Sequence, residues 1–190
     1  MPETMTGIQK ELDNLPDHFI VLILVDSINY VKVNLEIIKY LINKKQIPGI
    51  YITVNRPYEN MVKTLEQNGI DIKKLFFIDC ITPTLKGSPD RNENVLFVAS
   101  PQSLTDLGIV LSEVMESVKV PDKFLFLDSL STLTIYNSAV TVAKFSHFVV
   151  NKIRVGSFKG IFITLDKETD ETLIRTLSQF CDKTIRFGGG

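Results

Sequence analysis

Four aspartates stand directly after apolar runs of the chain, and their placement is the first sign of chemistry. If those runs are parallel strands, the four carboxylates share the edge of the sheet where α/β proteins bind ligands. A carboxylate cluster there would hold a divalent cation and would support a metal-dependent enzyme. Aspartate is also common where a strand gives way to a turn or a helix cap, and we favour this structural interpretation. The four residues are Asp26, Asp79, Asp128 and Asp166.

The start of the helix after the first apolar run is the place where a phosphate would bind. A phosphate-binding loop needs glycines, because backbone N–H groups must converge on the anion without Cβ atoms in the way. Compared with the pattern GxxxxGK[ST], the segment DSINYVKV at residues 26–33 keeps only Lys32. Asp26 and Val31 replace the two glycines, and Val33 replaces the hydroxyl residue that ligates magnesium.

Strands and helices alternate along the chain. Six runs are apolar throughout, which is typical of strands buried on both faces, and a seventh alternates like an edge strand. The alternation predicts an α/β fold with a mainly parallel sheet covered by helices on both sides. The predicted strands are 19–25, 49–54, 75–78, 94–98, 123–127, 160–165 and the edge strand 184–187, and the predicted helices are 31–45, 57–68, 101–118, 137–155 and one that begins near 169.

The composition indicates one globular domain over residues 1–190. We expect residues 1–17 to form a loosely attached N-terminal segment and residues 188–190 to form a frayed tail. With 21 Lys+Arg against 22 Asp+Glu, the net charge of −1 gives no electrostatic footprint for a nucleic-acid partner.

Targeting and redox features favour a cytoplasmic protein. The first residues have neither the basic nor the apolar region of a signal peptide, and the apolar run Phe19–Val25 is far too short to span a membrane. Cys80 and Cys181 are far apart and make neither a disulfide scaffold nor a zinc site, which fits a reducing cytosol. We therefore expect no membrane partner.

Several passages between about Phe19 and Phe187 follow a recognisable order. The passages GIYITVNRP at 49–57, NGIDIKKLFFID at 68–79, KFLFLDSL at 123–130 and IFITL at 161–165 carry it. Together they resemble the RecA superfamily, and especially the KaiC-like ATPases of archaea and bacteria. In that resemblance Asp128 and Ser129 end the Walker B strand. It implies a three-layer RecA-like fold and an archaeal source.

The departures from that family bear directly on activity. Hydrolysis in the family needs the glycine loop, the Walker B aspartate and a pair of glutamates that activates water. Asp128 remains, but Asn55 and Arg56 occupy the glutamate positions. Neither is a general base near neutral pH, because an amide has no basic nitrogen and a guanidinium stays protonated. The resemblance therefore implies a pseudo-ATPase without a cofactor. With no nucleotide to bind, we expect the side chain of Lys32 to turn to an acid such as Asp128, or to solvent.

Three functions remain open at this point. The leading one is a non-catalytic protein-interaction or regulatory module, with a protein partner or a second copy of the chain. The second is a nucleotide- or phosphometabolite-binding regulator without hydrolysis, and the third is the metal-dependent enzyme built on the strand-end aspartates. No catalytic residue and no metal ligand is assigned. The residues of the degenerate nucleotide site are Asp26, Ser27, Asn29, Lys32, Asn55, Arg56, Asp128 and Ser129.

The former phosphate pocket needs an occupant if no nucleotide binds. The first N–H groups of a helix have no intrahelical partners. We expect Ser27 or Asn29 to cap the helix with a side-chain oxygen, and Ile28, Tyr30 or their neighbours to fill the volume that glycines would leave open.

Overall fold

A computed structural model of the protein describes residues 3–86 and 93–188. Over these residues seven strands form a single sheet in which every pair of neighbours is parallel. The strands are β1 (Ile20–Val25), β2 (Gly49–Thr53), β3 (Leu75–Asp79), β4 (Val95–Phe97), β5 (Phe124–Asp128), β6 (Lys159–Leu165) and β7 (Lys183–Phe187). Their order across the sheet is β4-β3-β2-β5-β6-β1-β7, so that β6 separates β1 from β5.

Helices cover both faces of the sheet. The described helices are α1 (Glu3–Asp13), α2 (Tyr30–Lys39), which continues into a π-helical turn (Tyr40–Lys44), α3 (Tyr58–Gln67), a 3-10 turn (Ile72–Lys74), α4 (Thr82–Lys86), α5 (Leu104–Ser117), α6 (Leu130–Tyr136), α7 (Ala139–Gly156) and α8 (Glu171–Phe180). Side chains of α1, α2 and α3 share one buried cluster, and those of α5 to α8 share the other. The predicted three-layer α/β fold is confirmed.

The strands are apolar throughout because each of their faces meets a helical layer. Along β1, Val21, Ile23 and Val25 belong to the cluster under α1 to α3, while the intervening residues belong to the cluster under α5 to α8. All six residues of this strand are buried. A continuous apolar run is what a strand buried on both faces requires.

The helix boundaries differ from the prediction at one point. We predicted a helix from Pro101, but α5 begins at Leu104. The preceding segment forms a turn in which the Ser103 N–H donates to the Ser100 carbonyl over 3.0 Å. Proline suits the second position of such a turn because its fixed φ matches the turn geometry.

The N-terminal segment is packed more closely than its sequence suggests. Ile8 and Leu12 of α1 are buried in the cluster that also contains Tyr40. Lys183 of β7 donates to Glu11 over 2.5 Å. Of the tail at 188–190, only Gly188 lies within the described residues. Among the described helices, none has the length and apolar character needed to cross a bilayer.

Candidate functional site

The candidate residues lie where the strands end, at the sheet edge that leads into the helices. Asp26 follows β1 and Asp128 ends β5, with β6 between these two strands. Neighbouring strands are about 4.8 Å apart, and the register sets Asp128 beside Ile163 but Val25 beside Leu165, so the two aspartate backbones are more than about 10 Å apart. They therefore form two centres, each with its own partners.

The first centre is the buried carboxylate of Asp128. Tyr30, the first residue of α2, donates its hydroxyl to Oδ1, and Tyr51 of β2 donates its hydroxyl to Oδ2 over 2.6 Å. Asp128 is only 2 % exposed, and both tyrosines are buried. Each carboxylate oxygen is thus taken by a phenol from a neighbouring element.

Burial decides the protonation of this centre. Burial raises the pKa of the Asp128 carboxyl, while the hydrogen bonds from Tyr30 and Tyr51 and the charge of Arg56 lower that pKa. Burial, followed by the negative charge of Asp128, raises the pKa of both phenols far above their ordinary value. Tyr30 and Tyr51 therefore remain protonated donors at any physiological pH.

The second centre is the start of α2. The Asp26 Oδ1 atom accepts the backbone N–H of Asn29 over 2.8 Å, and the Asn29 side-chain amide donates to both Asp26 oxygens over 3.1 and 2.9 Å. These hydrogen bonds lower the pKa of the Asp26 carboxyl. A side chain at Gly188 would collide with the same carboxylate, which lies between the start of α2 and the end of β7.

The predicted cap of α2 by Ser27 or Asn29 is wrong. Asn29 occupies the N-cap position, but its side chain makes no capping hydrogen bond. Its φ of −91° and ψ of −8° are helical. A capping residue normally has an extended backbone, which turns its side-chain oxygen towards the N–H groups that follow. The carboxylate of Asp26 supplies the acceptor, and Asn29 acts as a donor.

The expected fillers of the phosphate pocket divide into two groups. Tyr30 is buried over Asp128, as predicted, whereas Ile28 is 91 % exposed and fills nothing. Val33, at the position of the magnesium-binding hydroxyl, is fully buried in the core. Lys32 is 46 % exposed and its Nζ lies 3.9 Å from Glu36 Oε1, so it pairs with an acid other than Asp128.

A cavity of about 20 Å³ lies beside the first centre. Asn34, Arg56 and Asp128 line it together with both tyrosines. The Asn34 Oδ1 atom is buried and has no hydrogen-bond partner among the described residues. A space of this size has room for about one water molecule, so nothing as large as a nucleotide fits in it.

The other candidates near Asp128 have contacts of their own. Asn55 is exposed, and Arg56 is held at the backbone by the Thr53 hydroxyl, which donates to the Arg56 carbonyl over 2.5 Å. Ser129 is buried and caps α6, since its Oγ accepts the Thr132 N–H over 3.4 Å. The Ser129 hydroxyl is therefore used as the N-cap of α6, directly after β5.

The remaining strand-end aspartates are also engaged separately. Asp79 accepts the backbone N–H groups of Tyr58, Ile81 and Thr82 over 2.6 to 2.9 Å. Asp166 accepts from Arg186 over 3.3 Å. Within residues 3–86 and 93–188, no group of three or more His, Cys, Asp or Glu residues is placed to hold a metal ion. The contacts of these carboxylates are those of turn and cap residues.

Sequence reasoning missed the polar role of Tyr51 and Asn34. Tyr51 stands within an otherwise apolar strand run, and a buried tyrosine hydroxyl usually needs a hydrogen-bond partner. That rule would have pointed to an acceptor near β2. Asn34 stands beside Val33 on a helix whose neighbouring residues are apolar, and its burial depends on how α2 packs against the sheet.

The α/β fold of the chain is similar to the folds of solved structures from an archaeon. A KaiC-like protein from Pyrococcus horikoshii OT3, PH0186, superposes with a TM-score of 0.63 at 11 % identity, over 90 % of this chain and 72 % of its own. PH0250 from the same archaeon gives a TM-score of 0.64 at 14 % identity, over 95 % and 87 % of the two chains. The uncharacterized protein PH0321, also from Pyrococcus horikoshii and solved in complex with an unknown peptide, gives 0.73 at 11 % identity, over 97 % and 83 %.

The sequence places the chain in one family. Residues 50–187 match DUF7504, a family of unknown function, and the chain belongs to it. No curated protein matches the chain by sequence.

Proposed function

We propose that this chain is a RecA-like domain whose nucleotide site is closed by its own side chains and which acts as a non-catalytic protein-interaction module. The observation that carries this proposal is the contact between Tyr30 and Asp128. The phenol of Tyr30 lies where the start of α2 meets the end of β5, and it is buried over the Asp128 carboxylate. That carboxylate is the group that would hold the metal ion of a bound nucleotide.

The start of α2 supports the same function. An anion binds at a helix start because N–H groups there have no partners. Here the carboxylate of Asp26 accepts the N–H of Asn29 and already supplies a negative charge. A nucleotide phosphate would have to displace this carboxylate and would be repelled by it.

The residues that remain cannot replace the lost hydrolytic groups. Lys32 is half exposed on α2, and its Nζ lies near Glu36. Asn55 and Arg56 supply no general base near neutral pH. Both carboxylate oxygens of Asp128 already accept a tyrosine hydroxyl, so a metal ion would have to compete with these two donors.

An interaction role is favoured by the outer surface of the helical layers. Large apolar side chains are exposed on three neighbouring helices, α5, α6 and α7. Clustered exposed apolar residues are typical of surfaces that bind other proteins. The complex of PH0321 with an unknown peptide is one case in which this fold is seen with a polypeptide ligand. The exposed residues are Ile109, Ile135, Tyr136, Val140, Phe148 and Val155.

Nucleotide titration tests the closed site. We expect no binding heat with magnesium-ATP or magnesium-ADP at millimolar concentrations, and no phosphate release above the buffer rate. Lys32→Ala is the test variant, and Lys39→Ala, an exposed lysine on the same helix, is the matched control.

Two results would overturn the proposal in different ways. Micromolar ATP affinity that is lost in Lys32→Ala and kept in Lys39→Ala would favour the nucleotide-binding regulator. ATP turnover with the same dependence on Lys32 would make the protein an enzyme.

A further inference from the structure

Helices α5 and α7 lie side by side on one face of the sheet and leave an open groove between them. The groove has a volume of about 650 Å³. Gly108 of α5 lies against Phe148 of α7, and Met115 lies close to Gly156. Positions 108 and 115 of α5 thus lie beside positions 148 and 156 of α7. The two helices therefore run in the same direction, and residues that lie beside each other are at nearly the same height along the helix axes.

The two walls of the groove carry opposite charges. Helix α5 contains three acidic residues and no basic residue, whereas α7 contains three basic residues and no acidic residue. On each helix, an apolar side chain that lines the groove stands between two charges of one sign in the sequence, and of these charges Glu113 and Lys144 also line the groove. These stripes are Asp106, Ile109 and Glu113 on α5, and Lys144, Phe148 and Lys152 on α7.

These side chains are available to a partner. Ile109 is 55 % exposed and Phe148 is 38 % exposed. Across the described ranges, none of the four stripe charges makes an ion pair with another residue of the chain. The chain therefore presents an acidic stripe and a basic stripe, each with an apolar centre, and neither stripe is neutralised.

We infer that this face binds a second copy of the chain, related by a twofold axis parallel to α5 and α7. Such an axis places α5 of one copy over α7 of the other and keeps the level along the helices. Ile109 then meets Phe148 of the second copy, while acidic residues on one chain meet lysines on the other. An axis perpendicular to the helices would place α5 over α5 and acid over acid, which is unfavourable.

The pairing occurs twice because a twofold interface uses the same surface on both copies. The contacts are Asp106 with Lys144 and Glu113 with Lys152. Since Ile109 and Phe148 lie at the level of Gly108, each charged pair is three or four residues away in the same direction on both helices. One register therefore satisfies the apolar contact and both charged contacts together.

The size of the surface sets the expected affinity. Helices of 14 and 18 residues are about 21 and 27 Å long. Two such helices side by side cover roughly 400 to 500 Å² of flat area, less than the ~800 Å² per partner of stable interfaces. We therefore expect a dissociating dimer, and the measurement needs high protein concentrations.

Charge reversal tests the interface. Sedimentation velocity of the full chain, from micromolar to millimolar concentration, measures the dissociation constant. The acid-reversed variant carries Asp106→Lys and Glu113→Lys, and the base-reversed variant carries Lys144→Glu and Lys152→Glu. We expect each alone to weaken dimerisation at least about tenfold, because like charges then face each other.

Mixing the two variants gives the decisive result. In a one-to-one mixture the reversed α5 of one chain meets the reversed α7 of the other, and the remaining contact is the wild-type one. We expect the mixture to dimerise about as well as the wild type. Lys63→Glu with Glu66→Lys, on α3 at the opposite face, is the control and should change nothing. Circular dichroism establishes that every variant is folded.

Several outcomes would overturn this inference. These are a monomer at millimolar concentration, a dimer insensitive to both reversals, and a mixture that fails to recover. The inference specifies the partner in the proposed interaction role. The sedimentation assay reports only association of the chain. A nucleotide-binding result could therefore overturn the closed site without affecting the dimer, and a failed dimer would leave the closed site untouched.

Discussion

Replacing Tyr30 by phenylalanine removes one hydroxyl and leaves the rest of the ring in place. In the native protein that hydroxyl donates to Asp128 Oδ1, and Tyr51 serves only the other oxygen. Tyr30 is 8 % exposed and Asp128 is 2 % exposed, so water has little access to the oxygen that loses its donor. The variant therefore isolates the contribution of one donor to a buried carboxylate.

The expected loss of stability follows from the charge and the burial. A hydrogen bond to a charged group contributes about 1.5 to 3 kcal/mol, and leaving the buried acceptor unpaired has a similar cost. We expect the free energy of unfolding of Tyr30→Phe to fall by this amount. For a chain of this length, 1 kcal/mol corresponds to about 2 to 4 °C, so the melting temperature should fall by roughly 3 to 12 °C.

Urea unfolding followed by circular dichroism measures the change, and Tyr40→Phe provides the matched control. Tyr40 also donates its hydroxyl to an aspartate, Asp13, but the side chain of that residue is 42 % exposed. Water replaces the lost donor there, and we expect a cost below about 1 kcal/mol. The comparison requires equal dependence of the unfolding free energy on urea in both variants, since a changed slope indicates a changed denatured or native state.

The result that would refute this reasoning is a loss in Tyr30→Phe no larger than the loss in Tyr40→Phe. Asp128 would then not depend on the phenol, and the closed site would lose its main support. Tyr51→Phe should behave like Tyr30→Phe, because its hydroxyl serves the second oxygen of the same carboxylate.

Three further substitutions test the two centres and the cap of α6. Burial raises the pKa of Asp128 in the folded protein. The protonated side chain therefore contributes its full stability below the usual aspartate range, and this contribution is lost as the pH rises through the native pKa. In urea unfolding, wild type should lose stability relative to Asp128→Asn from about pH 4 upward. Hydrogen bonds from Asn29 lower the pKa of Asp26. Wild type should therefore be more stable than Asp26→Ala at neutral pH, and this difference in stability should shrink on acidification. A difference that grows in acid would contradict the capping role. Ser129→Ala should cost about 1 kcal/mol through the lost cap of α6, and it should leave dimerisation unchanged.

The element types could be predicted because both faces of the sheet are covered. Strands such as β1 are apolar at every position, and that pattern differs from the period of an amphipathic helix. The short helices α4 and α6 were not predicted, since five and seven residues are too few to show a helical period. The start of α5 was misplaced because proline suits a turn as well as a first helical position.

The site could be predicted as a location and not as a set of contacts. The prediction that the glycines and the general base of the resembled family are missing rests on residue types alone and depends on no geometry. The acceptor for the N–H groups at the start of α2 depends on a backbone angle there. The sequence predicted a side chain of Ser27 or Asn29 as this acceptor, whereas the Asn29 N–H donates to Asp26. The direction of Lys32 was open between two alternatives, because a lysine on a helix reaches whichever acid the packing brings near.

Under the proposed function, Asp128 shows why a retained motif residue would be weak evidence for a retained activity. A buried carboxylate that loses its ligands is costly, so a chain that closes its site must either remove the charge or supply donors. Here the donors come from Tyr30, inside the segment 26–33 that was compared with a phosphate-binding loop, and from Tyr51 inside the neighbouring strand. Once those phenols are in place, removing the carboxylate would leave two buried hydroxyls without an acceptor. If the site is closed as we propose, its packing is sufficient to hold the aspartate at this position without a metal or a nucleotide.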